Sequence, residues 1–198
     1  MKTIGLTLLA AGLLCFTASP QEKSATKKKS ADAGMSMPKP AAEMKELRAL
    51  VGTWSTDETF EPSPFMPGGT ATGTNTVRLG PGGFTVLMEQ RSKSATMGSF
   101  AGHGVLTWDP NEKAYKTVWA DSMTPGVTVD TGRKEGDNIV YTGEITMGGK
   151  KIATKTVISD RTPTSYTLTG YANDGSGEKK TMTIKFTKKE PEAAAAKQ

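Results

Sequence analysis

From Gly52 to Lys188 apolar and polar residues alternate in short runs separated by Gly, Pro, Asn and Asp, the period-two pattern of strands buried on one face. Cutting the chain at these turn signals predicts ten strands, at 52–61, 70–79, 84–93, 98–108, 114–121, 127–133, 138–146, 150–159, 166–172 and 179–187. Asp109-Pro110-Asn111-Glu112 and Gly148-Gly149 read as tight turns, and a Pro-rich loop occupies 62–69. Phe84, Val86 and Met88 share one face, as do Phe100, Leu106 and Trp108, and Met182, Ile184 and Phe186. Ahead of the strands, Met44, Leu47 and Leu50 fall on one side of a short helix over 43–50. No helical pattern interrupts the strands, which excludes parallel βαβ folds. The expected fold is all-β, a single antiparallel up-and-down β-barrel that removes its exposed edges by closing, with a β-sandwich as the alternative.

The flanks read differently. The run from Ile4 to Phe16 has the length of a signal-peptide core and is too short to span a bilayer, so residues 1–20 are expected to be a signal peptide and the protein to be exported, periplasmic or secreted. The mature chain should begin between Ala18 and Glu22, with no membrane span left after processing. Cys15 is the only cysteine, and Leu14 stands before it where a lipoprotein signal needs a small residue; cleavage would leave a protein without thiols. Residues 21–42, rich in Lys, Ser, Ala and Pro, and the tail at 189–198 carry too little apolar surface to fold and are expected to be disordered, leaving 43–188 as the barrel domain.

Composition narrows the function classes. The net charge of +5 suggests nucleic acid, but from Met44 to Lys188 there are 17 basic and 15 acidic residues, a balance of +2, and the excess lies in the flanks at Lys27, Lys28 and Lys29. The domain therefore has no basic face by which to hold a nucleic acid. Met35 and Met37 have no His or Cys companions, so no metal site is expected, and no cofactor motif occurs.

Four stretches in order, Leu50 to Trp54 (LVGTW), Gly73 to Arg78 (GTNTVR), Thr107 to Pro110 (TWDP) with Lys113, and Trp119 to Ser122 (WADS), resemble the bacterial domain of unknown function 1579 family, a lipocalin-like group. The resemblance covers about Met44 to Lys188 and implies a calycin-type barrel without a known activity. It further implies that the Trp of Gly52-x-Trp54 plugs the closed end. Typical lipocalins stack an Arg from the last strand on this Trp, whereas here that strand offers Lys179, Lys180, Lys185 and Lys188; Arg78, Arg91 and Arg161 are the candidate partners.

Candidate chemistry is sparse. His103 is the only histidine; a haem-binding calycin relative uses a single His, but His103 lies on the strand face opposite Phe100, Leu106 and Trp108 and should point outward. A Ser-His-Asp site would need the same His, and no Ser sits in a nucleophile elbow, so no catalytic residues are assigned. Asp57 and Glu58 face opposite sides of their strand and make poor acid–base partners. Trp119 and Asp121 share a face with Tyr115; if it points inward, an acid beside two aromatics could orient a ligand's amine or hydroxyl, and if not, Asp121 caps the following turn. The expected ligand-binding residues are thus Trp54, Tyr115, Trp119 and Asp121. The expected function is binding of a small apolar or amphipathic molecule in a barrel cavity, with a side-chain-filled barrel acting as a non-catalytic accessory or interaction module as the alternative.

Overall fold

The computed structural model describes residues 37–190, Phe65 excepted. The expected signal peptide, the linker up to residue 36 and the tail from residue 191 lie outside the described residues. Pro38 opens the compact unit that carries the fold.

All ten strands form, as β1 (Gly52–Phe60), β2 (Gly69–Leu79), β3 (Thr85–Ser94), β4 (Gly98–Asp109), β5 (Ala114–Asp121), β6 (Thr128–Glu135), β7 (Asn138–Met147), β8 (Lys150–Ser159), β9 (Ser165–Asn173) and β10 (Glu178–Lys188), preceded by one helix, α1 (Met44–Arg48). Every neighbouring pair is antiparallel, and β1 pairs with both β2 and β10, so the sheet closes into the barrel that the alternation predicts. Phe84 departs from its expected place on the third strand. Gly82 and Gly83 take positive φ in a 3-10 turn at Pro81–Gly83, and Phe84 caps that turn, 38% exposed, before β3 begins at Thr85.

One end of the barrel is stopped. Met44, Leu47 and Leu50 from the helical segment are buried against Trp54, Val86, Leu106, Tyr115, Tyr166 and Phe186. Trp54 is 1% exposed and donates its indole N–H to the Leu50 carbonyl at 2.8 Å, so the plug is tied to the segment that covers it. Tyr166 meets Trp54 edge-on at 4.9 Å and stacks on Phe186 at 4.1 Å. The cation on Trp54 is Lys188, whose Nζ lies 5.3 Å from the ring centroid, and none of Arg78, Arg91 and Arg161 takes that place. The register explains this correction: Lys188 is the direct cross-strand partner of Trp54 at the barrel seam, while Arg78 and Arg91 are exposed and Arg161 is engaged elsewhere.

Polar ties hold α1 over the end. Glu46 accepts from Lys134 at 3.0 Å and from Arg161 at 2.9 Å; Arg161 also donates to the Asp137 carbonyl, Arg48 to the Gly83 carbonyl, and the Tyr115 hydroxyl to the Glu43 carbonyl. One carboxylate thus ties the helix to β6 and to the loop after β8. The hydrogen bond from Lys134, with further help from Arg161, holds the Glu46 carboxyl below its usual 4.5 against the opposing effect of desolvation. A depressed folded pKa gives stability that is present above 4.5 and is lost as pH falls through the folded value. Glu46→Gln should therefore melt below wild type at neutral pH, by about 1 kcal/mol for a partly exposed ionic pair of hydrogen bonds, and the two melting curves should converge on acidification. Midpoints that stay parallel from pH 7 down to about 3 would contradict this role.

Candidate functional site

Above the floor made by Trp54 the barrel is open inside. A cavity of about 350 Å³ runs up to the mouth, within the range of small-molecule sites. Its apolar lining includes Leu106, Ile158, Leu168, Met182 and Ile184, and Met66, Met97 and Met123 stand at the loops around the mouth. Methionine is flexible and polarizable, which suits an entrance that must adapt to what passes.

Small residues keep this lumen from being filled. Gly102 and Gly104 face inward on β4 beside Trp119 on β5, and a Cβ at Gly102 would stand 2.2 Å from the indole. The ring therefore lies flat on the bare backbone instead of crossing the barrel, with the Phe100 ring nearly parallel to it at a centroid distance of 6.5 Å. Tyr141 lies in the same way on Gly132, where a Cβ would come within 2.5 Å of its ring. Its hydroxyl faces Thr117 without closing a hydrogen bond of good geometry, and burial pushes its pKa up.

A polar wall crosses β1, β2 and β3. Thr56, Glu58, Asn75, Gln90, Ser92 and Ser94 are all buried, and all but Thr56 line the cavity. Glu58, 3% exposed, accepts from the Thr56 hydroxyl at 2.8 Å and from the Gln90 amide at 2.7 Å. Gln90 in turn accepts from the Asn75 amide at 2.9 Å. An ionised carboxylate only accepts, so it turns the Gln90 amide nitrogen toward itself; the Gln90 oxygen then faces Asn75 and turns that amide nitrogen inward to the network. The Asn75 oxygen is left buried with no partner among the described residues. On the opposite side, Asp130 lies against Gly143, and burial raises its carboxyl above the usual aspartate range.

Of the residues singled out in the sequence, Trp119 and Asp121 line the lumen, while Trp54 and Tyr115 are built into the floor, Tyr115 meeting Trp108 edge-on at 4.9 Å. The Asp121 side chain faces the lumen, and one of its oxygens also caps the following turn, accepting from the backbone of Met123 and Thr124. Its other oxygen takes the Trp119 indole N–H at 3.0 Å, which fixes the ring in place. His103 is exposed on the outer face, beside Arg78 and Glu89. Among the described residues no group of three or more His, Cys, Asp or Glu is placed to hold a metal ion. Glu58, Asn75 and Gln90 escape a search for apolar parity because polar residues on a barrel's inner face look like solvent positions. The available signal was that Gln90, Ser92 and Ser94 continue the parity of Val86 and Met88.

Residues 39–188 match the family described as protein of unknown function (DUF1579), about three quarters of the chain. The chain belongs to the DUF1579 family. No curated protein matches it. Among solved structures this DUF1579 barrel is similar to Rv2717c from M. tuberculosis, with a TM-score of 0.54 at 12% identity over 76% of this chain and 99% of that one. It is also similar to the S-type phycobiliprotein lyase CPES from Guillardia theta, with a TM-score of 0.50 at 12% identity over 77% of this chain and 99% of that one. At such identities the likeness shows the fold.

The flat seat of Trp119 in the DUF1579 barrel is directly testable. Gly102→Ala places a methyl where the indole rests and should cost about 1–3 kcal/mol by overpacking while shifting the tryptophan emission. His103→Ala, on the outer face of the same strand, should change neither, and equal behaviour of the two variants would mean that the ring does not rest on Gly102.

Proposed function

We propose that this is an exported carrier or sensor that binds a small, largely apolar molecule in the barrel lumen. The observation that carries the reading is the cavity of about 350 Å³, apolar over most of its lining and continuous with the mouth. A barrel serving only as an accessory module would gain stability by filling that space with its own side chains, since empty apolar volume forfeits dispersion contacts. Here inward-facing glycines keep the space clear instead. The leader at residues 1–20 supports an extracytoplasmic setting, where such a protein would meet ligands outside the cell. Trp119, flat against the wall and held by Asp121, is placed to report occupancy.

Titration with N-phenyl-1-naphthylamine, a neutral apolar dye, should give saturable dye fluorescence and quenching of tryptophan emission, with a dissociation constant in the micromolar range, about −8 kcal/mol. Trp119→Phe should remove most of the intrinsic signal while dye binding persists. Thr156→Phe, which puts a ring into the lumen, should weaken the dye about tenfold or more without unfolding the barrel. If neither this dye nor a panel of isoprenoid and aromatic compounds saturates, the carrier reading is wrong and the accessory module replaces it.

A further inference from the structure

The charged groups of the lumen share one sign. Glu58, Asp121 and Asp130 line it, and no Lys, Arg or His does so among the described residues. The lumen also has unmet acceptors. In the network of Thr56, Gln90 and Asn75 the donors are used inside it, the Asn75 amide on Gln90 and the Gln90 amide on Thr56 and Glu58, so one Glu58 oxygen takes the bonds from Thr56 and Gln90 and the other takes none from the described residues. The Asn75 oxygen, on a side chain 1% exposed and lining the cavity, has no partner either. A buried acceptor without a donor is costly, and a buried carboxylate without a cation more so. Asp130 across the lumen has no hydrogen-bond or cation partner among the described residues.

Resting on the carrier reading above, we propose that the lumen selects apolar ligands that bear a hydrogen-bond donor, above all lipophilic amines, and rejects fatty carboxylates. An ammonium group has three donors and a positive charge and no acceptor, which complements Glu58 and the Asn75 oxygen. The apolar body then lies along Leu106, Ile158, Leu168 and Ile184. A carboxylate ligand would bring a fourth negative charge into a lining that holds no cation and only neutral hydroxyl and amide donors, and like charges at short range in a water-poor site repel strongly. An alcohol supplies one donor without charge and should fall between the two.

The test uses the full chain with N-phenyl-1-naphthylamine bound and displaced in turn by octylamine, 1-octanol and octanoate, eight-carbon compounds with different head groups, and by nonanoate, whose alkyl tail matches that of octylamine and corrects for the shorter tail of octanoate. Octylamine should displace the dye at about tenfold lower concentration than octanoate or better, the fold-change that one charge-assisted hydrogen bond supplies, with octanol between. Glu58→Gln keeps an oxygen for Thr56 and Gln90 and turns a donor to the lumen, so the ratio of amine to carboxylate affinity should collapse as octanoate gains. Asp130→Asn, outside that network, should lower the ratio without touching the Glu58 partners, and circular dichroism on both variants checks that the barrel is intact. Octanoate displacing as well as octylamine, or both folded variants keeping the wild-type ratio, would overturn the proposal. Dye that binds with no head-group preference defeats this inference alone, whereas dye that does not bind at all defeats the carrier reading and this inference with it.

Discussion

Seven consecutive residues of β1, Trp54 to Phe60, pair in register with Lys188 to Met182 of β10, and every other property of the barrel depends on this seam. Without it the sheet would have two long edges of unpaired backbone groups; with it there are none. The same pairing sets Lys188 opposite Trp54, so the closure that completes the ring also places a cation on the plug. Barrel width grows with strand number, and eight strands already give an interior that side chains can just fill. Ten strands enclose more, and what becomes of that space is decided residue by residue.

At the closed end it is filled. The helical segment, Trp54 and the stacked Tyr166 and Phe186 make a packed floor, with Glu46 fastening the helix to the surrounding strands. Higher up, large side chains lie against glycines rather than across the lumen: Trp119 on Gly102 and Gly104, and Tyr141 on Gly132. The vacant interior is therefore a consequence of pairing large with nothing on neighbouring strands. Into it faces a polar wall whose hydrogen bonds are ordered by one buried carboxylate.

Much of this was legible in the sequence. Period-two alternation and turn residues predicted all ten strands, and the resemblance to the lipocalin-like family implied that Trp54 plugs the closed end. Phe84 misled because an apolar residue just before a strand carries the right parity whether or not two left-handed glycines hold it outside the strand. That Trp119 and Asp121 share a face of β5 with Tyr115 followed from parity, but parity gives neither which way the face points nor depth: Trp119 and Asp121 line the lumen and Tyr115 belongs to the floor. The buried polar residues were harder, because Thr56, Glu58 and Asn75 look like solvent positions until the ring closes and puts them inside. Residue type says which face favours water; only closure says that one such face holds a private cavity.

The cavity persists and presents unmet acceptors to whatever fills it. A high-resolution crystal structure of protein purified from its own host, refined at the lumen, tests that most directly. Ordered density, from ligand or water, is expected within hydrogen-bond distance of both the free Glu58 oxygen and the Asn75 oxygen, with Trp119 flat on Gly102. A lumen collapsed onto itself, with Trp119 swung across it and Glu58 paired to a protein cation, would contradict it.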